Sequence, residues 1–118
     1  MERVSVTTTG SAGSASGSAT TAALEGLLLD IYLDYDASAP ATTDVTIAYA
    51  DRASNILVVS DNATDGLYAP RVKPVDNANA AITNAFDYFP LNGRLTVSVA
   101  QSNALAPCVT AYIRYLRV

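Results

Sequence analysis

Apolar and polar side chains alternate along several short stretches of this chain, and the clearest runs from Leu27 to Asp36. Leu27, Leu29, Ile31, Leu33 and Tyr35 share one face of period two, and Leu28, Asp30, Tyr32, Asp34 and Asp36 share the other. Helical spacing fits worse, because it sets Asp30 and Asp34 among Leu27 and Ile31 on one side. Asp44–Tyr49 alternates again, with Val45, Ile47 and Tyr49 inward. The four residues 51–54 then lead into Ile56-Leu57-Val58-Val59, the spacing of a hairpin. Leu95, Val97 and Val99 share a face opposite Thr96 and Ser98. Near the C-terminus Val109, Ala111, Ile113 and Tyr115 point one way, and Thr110, Tyr112, Arg114 and Leu116 the other.

Turn residues separate these runs. Ala37–Thr43 reads as a loop, Asp61–Gly66 as a polar turn, and Asn92-Gly93 as a strong turn signal. Pro70 and Pro74 confine Leu67–Val72 to an edge strand or a loop. Residues 75–85 read as a long loop with a helical turn, followed by a brief strand at Phe86–Phe89. The result is about eight short strands, turn signals every 8–12 residues or so and no helix, the pattern of an antiparallel sandwich or barrel.

The first residues alternate too: Arg3, Ser5 and Thr7 on one side, Val4, Val6 and Thr8 on the other. Gly10–Ala19 is all Gly, Ser and Ala, a flexible linker by composition. Residues 1–19 are therefore read as a strand-forming N-terminal arm and linker, and 20–118 as the β-sandwich body. Two roles compete for the arm. It closes a loop or hairpin within one fold, or it reaches a neighbouring subunit with Val4 and Val6 as anchors. On the second, deleting residues 1–19 leaves a folded body that assembles poorly.

Composition narrows the chemistry. The chain has no His, no Trp and one Cys among 118 residues. That leaves no imidazole base or ligand, no disulfide framework and no Cys–His pair. Lys73 is the only lysine, and no Ser-x-x-Lys motif precedes it. The expectation is a protein that is not an enzyme and uses no cofactor. Asp30, Asp34 and Asp36 on one strand face read as a solvated surface rather than a carboxylate pair. Asp61–Gly66 lacks the ligand spacing of a calcium loop, so no metal is expected. Asn62-Ala63-Thr64 matches an acceptor pattern for N-glycosylation and reads as accidental. The net charge of −4 argues against nucleic acid, and no apolar run is long enough to span a bilayer. The N-terminus has no basic segment followed by an apolar one, and synthesis in the cytoplasm is expected. Charged residues are only 15%, which suits self-association. Seven tyrosines suit an interface, with Tyr32 and Tyr112 outward. Arg114 and Arg117 are placed to pair with acidic residues across such an interface.

Certain strings carry a resemblance: Leu33-Asp34-Tyr35, Ala39–Ile47, Thr64-Asp65-Gly66-Leu67-Tyr68-Ala69-Pro70-Arg71, Ala80-Ala81-Ile82-Thr83 and Gly93–Gln101. In this layout, over roughly residues 24–118, the chain resembles small virion proteins of tailed bacteriophages. It is similar to capsid cement or decoration proteins with a jelly-roll-like β-sandwich. The resemblance implies an oligomer, commonly a homotrimer, bound to major capsid protein on the outside of the shell. It supplies no catalytic residues. Candidate inter-subunit contacts are Arg3, Val4, Val6, Tyr32, Tyr112 and Arg114. Two other roles stay open: a neck, connector or tail-associated virion protein, and a carbohydrate-binding or adhesive module using Tyr32 and Tyr112.

Overall fold

A computed structural model describes residues 1–117; Val118, the last residue of the expected body, lies outside them. The described residues form eleven strands and no helix. They are β1 (Glu2–Val6), β2 (Ala15–Thr20), β3 (Leu24–Tyr35), β4 (Asp44–Tyr49), β5 (Asn55–Val59) and β6 (Gly66–Tyr68). Then come β7 (Arg71–Val72), β8 (Asp87–Tyr88), β9 (Pro90–Gly93), β10 (Leu95–Ser102) and β11 (Val109–Arg117).

One sheet runs β1-β11-β3-β6, with β9 also on β3; the second runs β2-β10-β4-β5. Every pairing is antiparallel. Both β6 and β9 run antiparallel to β3, at Ile31–Leu33 and at Leu24–Leu27. They are two pieces of one interrupted strand, and the β7–β8 pair is an insertion between them. Counted so, eight strands form two four-stranded sheets ordered 1-8-3-6 and 2-7-4-5. The chain crosses between sheets at every connection except the β4–β5 hairpin, which makes the all-β sandwich a jelly roll.

The core lies between the sheets. Val4, Val6, Leu28, Ile31, Leu33, Val109 and Ile113 come from one side, and Val45, Ile47, Leu95, Val97 and Val99 from the other. The period-two reading of β4, β10 and β11 survives residue by residue. In β3 it holds only from Asp30 onward. Opposite β11 the register slips, with Asp30 facing Arg114 and Leu28 facing Tyr115, so that Leu29 is an extra residue. Such a bulge exchanges the two faces of everything before it. Leu24 and Leu28 are therefore buried, and Leu27 and Leu29, expected inward, are not.

The N-terminal segment also departs from expectation. Residues 1–19 are part of the sandwich, and the boundary expected at residue 20 falls inside β2. β1 pairs with β11 of its own chain at five positions, and Val4 and Val6 are buried. Gly10 and Gly13 turn the chain with φ of 128° and 82°, and β2 then pairs with β10. The small side chains mark a tight corner rather than a slack tether. A Cβ on Gly17 would stand 2.1 Å from the Thr7 carbonyl oxygen. Of the two roles open to this segment, the structure has the connection within one fold, running from one sheet to the other.

Two local readings change as well. Asn92-Gly93 ends β9 as the chain switches sheets, and no hairpin turns there. Residues 75–85 contain no helical turn. A bridge between Val75 and Ala81 closes that loop, and the Asp76 carboxylate accepts the Ala78 and Ala80 amides at 2.9 and 3.0 Å.

Candidate functional site

Antiparallel pairing sets directly opposed residues on the same face of a sheet. On the outer face of the first sheet, Arg3 opposes Tyr112, Tyr112 opposes Tyr32, and Tyr32 opposes Leu67. These four residues make one row across β1, β11, β3 and β6. The two tyrosine rings lie 6.3 Å apart, tilted by 53°. The row above is polar, Ser5–Thr110–Asp34, with the Ser5 and Thr110 hydroxyls 3.0 Å apart. Below lie Asp30 opposite Arg114 and, beyond the bulge, Leu27 opposite Leu116. Leu67 is 63% exposed, Leu116 56% and Tyr32 39%, so large apolar surface faces solvent on both sides of the ion pair.

That ion pair is the electrostatic centre of the face. Arg114 donates from Nε to Asp30 Oδ1 at 2.8 Å, and from Nη2 to Asp30 Oδ2. Asp30 is 8% exposed and lies beneath the more open Arg114 side chain. Hydrogen bonding from Arg114 holds the Asp30 carboxyl below its ordinary pKa against the opposing effect of burial, and the charges of Arg114 and Arg71 add to the lowering. Asp30 is thus an ionised, neutralised carboxylate at pH 7, not a free member of an acidic cluster. The Tyr32 phenol is pushed above its ordinary value, first by desolvation and then by Asp65, Asp34 and Tyr112. The middle of the face therefore presents neutral aromatic and aliphatic groups.

A second apolar surface lies on the insertion. Val75 (50% exposed), Ile82, Phe86 (64%) and Tyr88 all face solvent. Arg71 ties this insertion to the body. Its Nη1 donates to the carbonyls of Leu29, the bulge residue, at 3.0 Å and of Pro70 at 2.9 Å. Its guanidinium sits 4.4 Å over the Tyr88 ring.

Of the six residues singled out from sequence, Arg3, Tyr32, Tyr112 and Arg114 come together on this face. Val4 and Val6 do not: they alternate with Arg3 and Ser5 and point into the core. Sequence reasoning missed Leu67, Leu27 and the insertion. Leu67 could be found only by knowing that β6 pairs with β3 opposite Tyr32. Asp34 and Asp36 line a shallow hollow of about 160 Å³ with Pro107, Cys108 and Thr110. Among the described residues no three His, Cys, Asp or Glu side chains gather as a metal set. Cys108 is buried with its sulfur 3.2 Å from the Ser102 hydroxyl. The Asp61–Gly66 turn is structural: the Asp65 carboxylate accepts the Tyr35 amide at 2.7 Å, and the Asn62 amide donates to the Thr43 carbonyl at 3.0 Å.

In comparisons with known proteins, no family model and no curated protein matches this chain.

Proposed function

We propose that this chain is a structural virion protein that docks on the outside of a phage capsid shell as an oligomeric cement protein. The observation that carries the reading is the Arg3–Tyr112–Tyr32–Leu67 row, flanked by Leu27, Leu116 and the Asp30–Arg114 pair. Tyrosine and arginine at the centre of an exposed sheet face are the residue types that concentrate binding energy between proteins. The rigid sheet holds them with little ordering left to do on docking. The partners are major capsid protein and further copies of the chain, with a homotrimer the expected assembly. Weak contacts repeated over a symmetric shell add through avidity. The stabilisation comes from buried area, and the reading invokes no cofactor, nucleic acid, membrane or chemical step.

Quantitative mass spectrometry of purified particles tests it. A copy number near that of the major shell protein, or a simple fraction of it, supports cement. A dozen copies or fewer would move the chain to the neck or tail, and absence from particles refutes a virion role. The exposed Tyr32 ring and the half-buried Tyr112 ring beside it favour one further reading, a glycan-binding face. Polysaccharide retardation of the chain on a native gel, lost in Tyr32→Ala, would establish that instead.

A further inference from the structure

We infer that the β7–β8 insertion is the second half of the docking face: Val75, Ile82, Phe86 and Tyr88 are covered by the same shell surface that covers the Tyr112–Tyr32–Leu67 row. The inference rests on the shell reading and extends it to a part of the chain that the row leaves bare.

The insertion is folded inside out. From Ala69 to Tyr88 no residue is buried, and every residue from Val75 to Asn84 is exposed, the longest such run among the described residues. Its backbone polar groups nevertheless satisfy one another. Val75 bridges to Ala81, the Asp76 amide donates to the Ala80 carbonyl at 2.9 Å, and the Ile82 amide donates to the Pro74 carbonyl at 3.2 Å. The loop thus has a defined shape, with its hydrogen bonds inside and its apolar side chains outside. Such a segment gains no burial from its own chain, and exposed apolar surface of this kind marks a contact with another molecule. Of the nine large apolar or aromatic side chains exposed among the described residues, four are on the insertion. Three more, Tyr32, Leu67 and Leu116, belong to the outer face of the first sheet.

Position selects one occupant for both surfaces. β6 ends at Tyr68 and β7 begins at Arg71, so two residues separate the insertion from Leu67, the last member of the row. On the return, Phe89 alone separates β8 from β9. Links this short hold the insertion against the edge of the face rather than letting it swing away. Arg71 fixes the join: it donates to the Leu29 carbonyl on β3, lies over the Tyr88 ring, and its charge acts on Asp30 in the middle of the face. A surface broad enough to cover the row and reach Leu67 therefore meets the insertion next.

Charge sets the chemistry of that surface. Between Val75 and Phe86 the only charged residue is Asp76, and its carboxylate already accepts the Ala78 and Ala80 amides. The patch offers a partner no free charge to match, so it fits an uncharged, apolar part of the shell protein and not a polyanion.

Hydroxyl-radical footprinting of the free full chain and of intact particles tests this. Ile82, Phe86 and Tyr88 are expected to be labelled in the free chain and to lose that labelling in particles together with Tyr32 and Leu67. A chain carrying Ile82→Ser and Phe86→Ser is expected to keep the parent melting temperature, since neither residue touches the core, and to fall in copy number on particles by about tenfold or more. Particles in which the row is protected while the insertion is labelled as in the free chain overturn the inference and leave the shell reading standing. So does a double variant that enters particles as the parent does. Protection of the insertion that rises with concentration in the free chain, with no shell present, assigns the patch to a second copy and overturns the inference too. Absence of the chain from particles refutes the shell reading and this inference with it.

Discussion

Val6→Ala tests whether the N-terminal residues belong to the core of their own chain. Val6 is fully buried on β1, opposite the equally buried Val109, which in turn opposes Tyr35 on β3. The substitution removes two buried carbons, about 1.6 kcal/mol at roughly 0.8 per methylene. Sheet neighbours cannot collapse freely into the space, so a cavity contribution raises the loss to about 2–3 kcal/mol. For a chain of this length that lowers the melting temperature by about 8–12 °C. The measurement is urea unfolding followed by far-UV circular dichroism and tyrosine fluorescence, since the chain has no Trp. Ser5→Ala is the control. It faces solvent one residue away, loses one exposed hydrogen bond to Thr110, and should cost less than about 1 kcal/mol. If Val6→Ala stays within about 0.5 kcal/mol of the parent, β1 is not packed into the core and the segment is a detached arm after all. Deleting residues 1–19 is then the larger version of the same experiment. It removes β1 and most of β2, and a cooperative unfolding transition should disappear.

Further outcomes follow from single contacts. Gly17→Ala should destabilise by about 2 kcal/mol or more, because its Cβ would meet backbone that cannot move aside, the Thr7 carbonyl at 2.1 Å; thermal unfolding near the parent value would contradict that corner. Asp30→Asn should lower stability in a pH-dependent way. The folded pKa of Asp30 lies below its unfolded value, so the carboxylate stabilises above the unfolded value and loses that effect as pH falls through the folded one. The gap between parent and variant is therefore full at pH 7 and closes below about pH 4. A gap independent of pH would show that Arg114 does not act on the charge. Tyr32→Ala and Tyr112→Ala should leave the fold intact and abolish capsid binding, and retained binding would remove the first sheet's outer face from the proposed docking surface.

Much of the sandwich was legible because burial in a two-layer sheet writes itself as period two. Val45, Ile47, Leu95, Val97, Val99, Val109, Ala111 and Ile113 could be placed inward from spacing alone. What failed did so for identifiable reasons. The Leu29 bulge carries no signal of its own, since Leu27-Leu28-Leu29 is apolar in any phase. The Gly/Ser/Ala run looked like a linker because close backbone approach and flexibility demand the same small residues. Only the position of Thr7 distinguishes them. The candidate face was half legible. Outward Tyr32, Tyr112 and Arg114 followed from alternation within a strand, but their alignment with Arg3 and Leu67 depends on register between strands distant in sequence.

The interruption between β6 and β9 deserves the last experiment, because it joins the bulge, the ion pair and the insertion through one side chain. The bulge turns the Leu29 carbonyl out of the β3 ladder, and the interrupted neighbour offers no amide there. Arg71 supplies the donor, and from the same guanidinium it stacks on Tyr88 and adds its charge to the field on Asp30. Arg71→Ala removes all three contacts and leaves the part-buried carbonyl unpaired, at about 1–3 kcal/mol. Arg71→Lys keeps the charge and can restore one bond, but it lacks the planar group that bonds two carbonyls while lying over a ring. Hydrogen exchange separates these effects. In Arg71→Ala the amides of β7 and β8 should exchange as open chain, while those of β10 and β11 speed up no more than the global loss of stability requires. Arg71→Lys should fall between, closer to alanine at β8, where stacking matters, than at Leu29. If β8 keeps its protection in Arg71→Ala, the insertion is held by its own loop contacts, and its exposed Val75, Ile82 and Phe86 are presented by a rigid element that needs no anchor on β3.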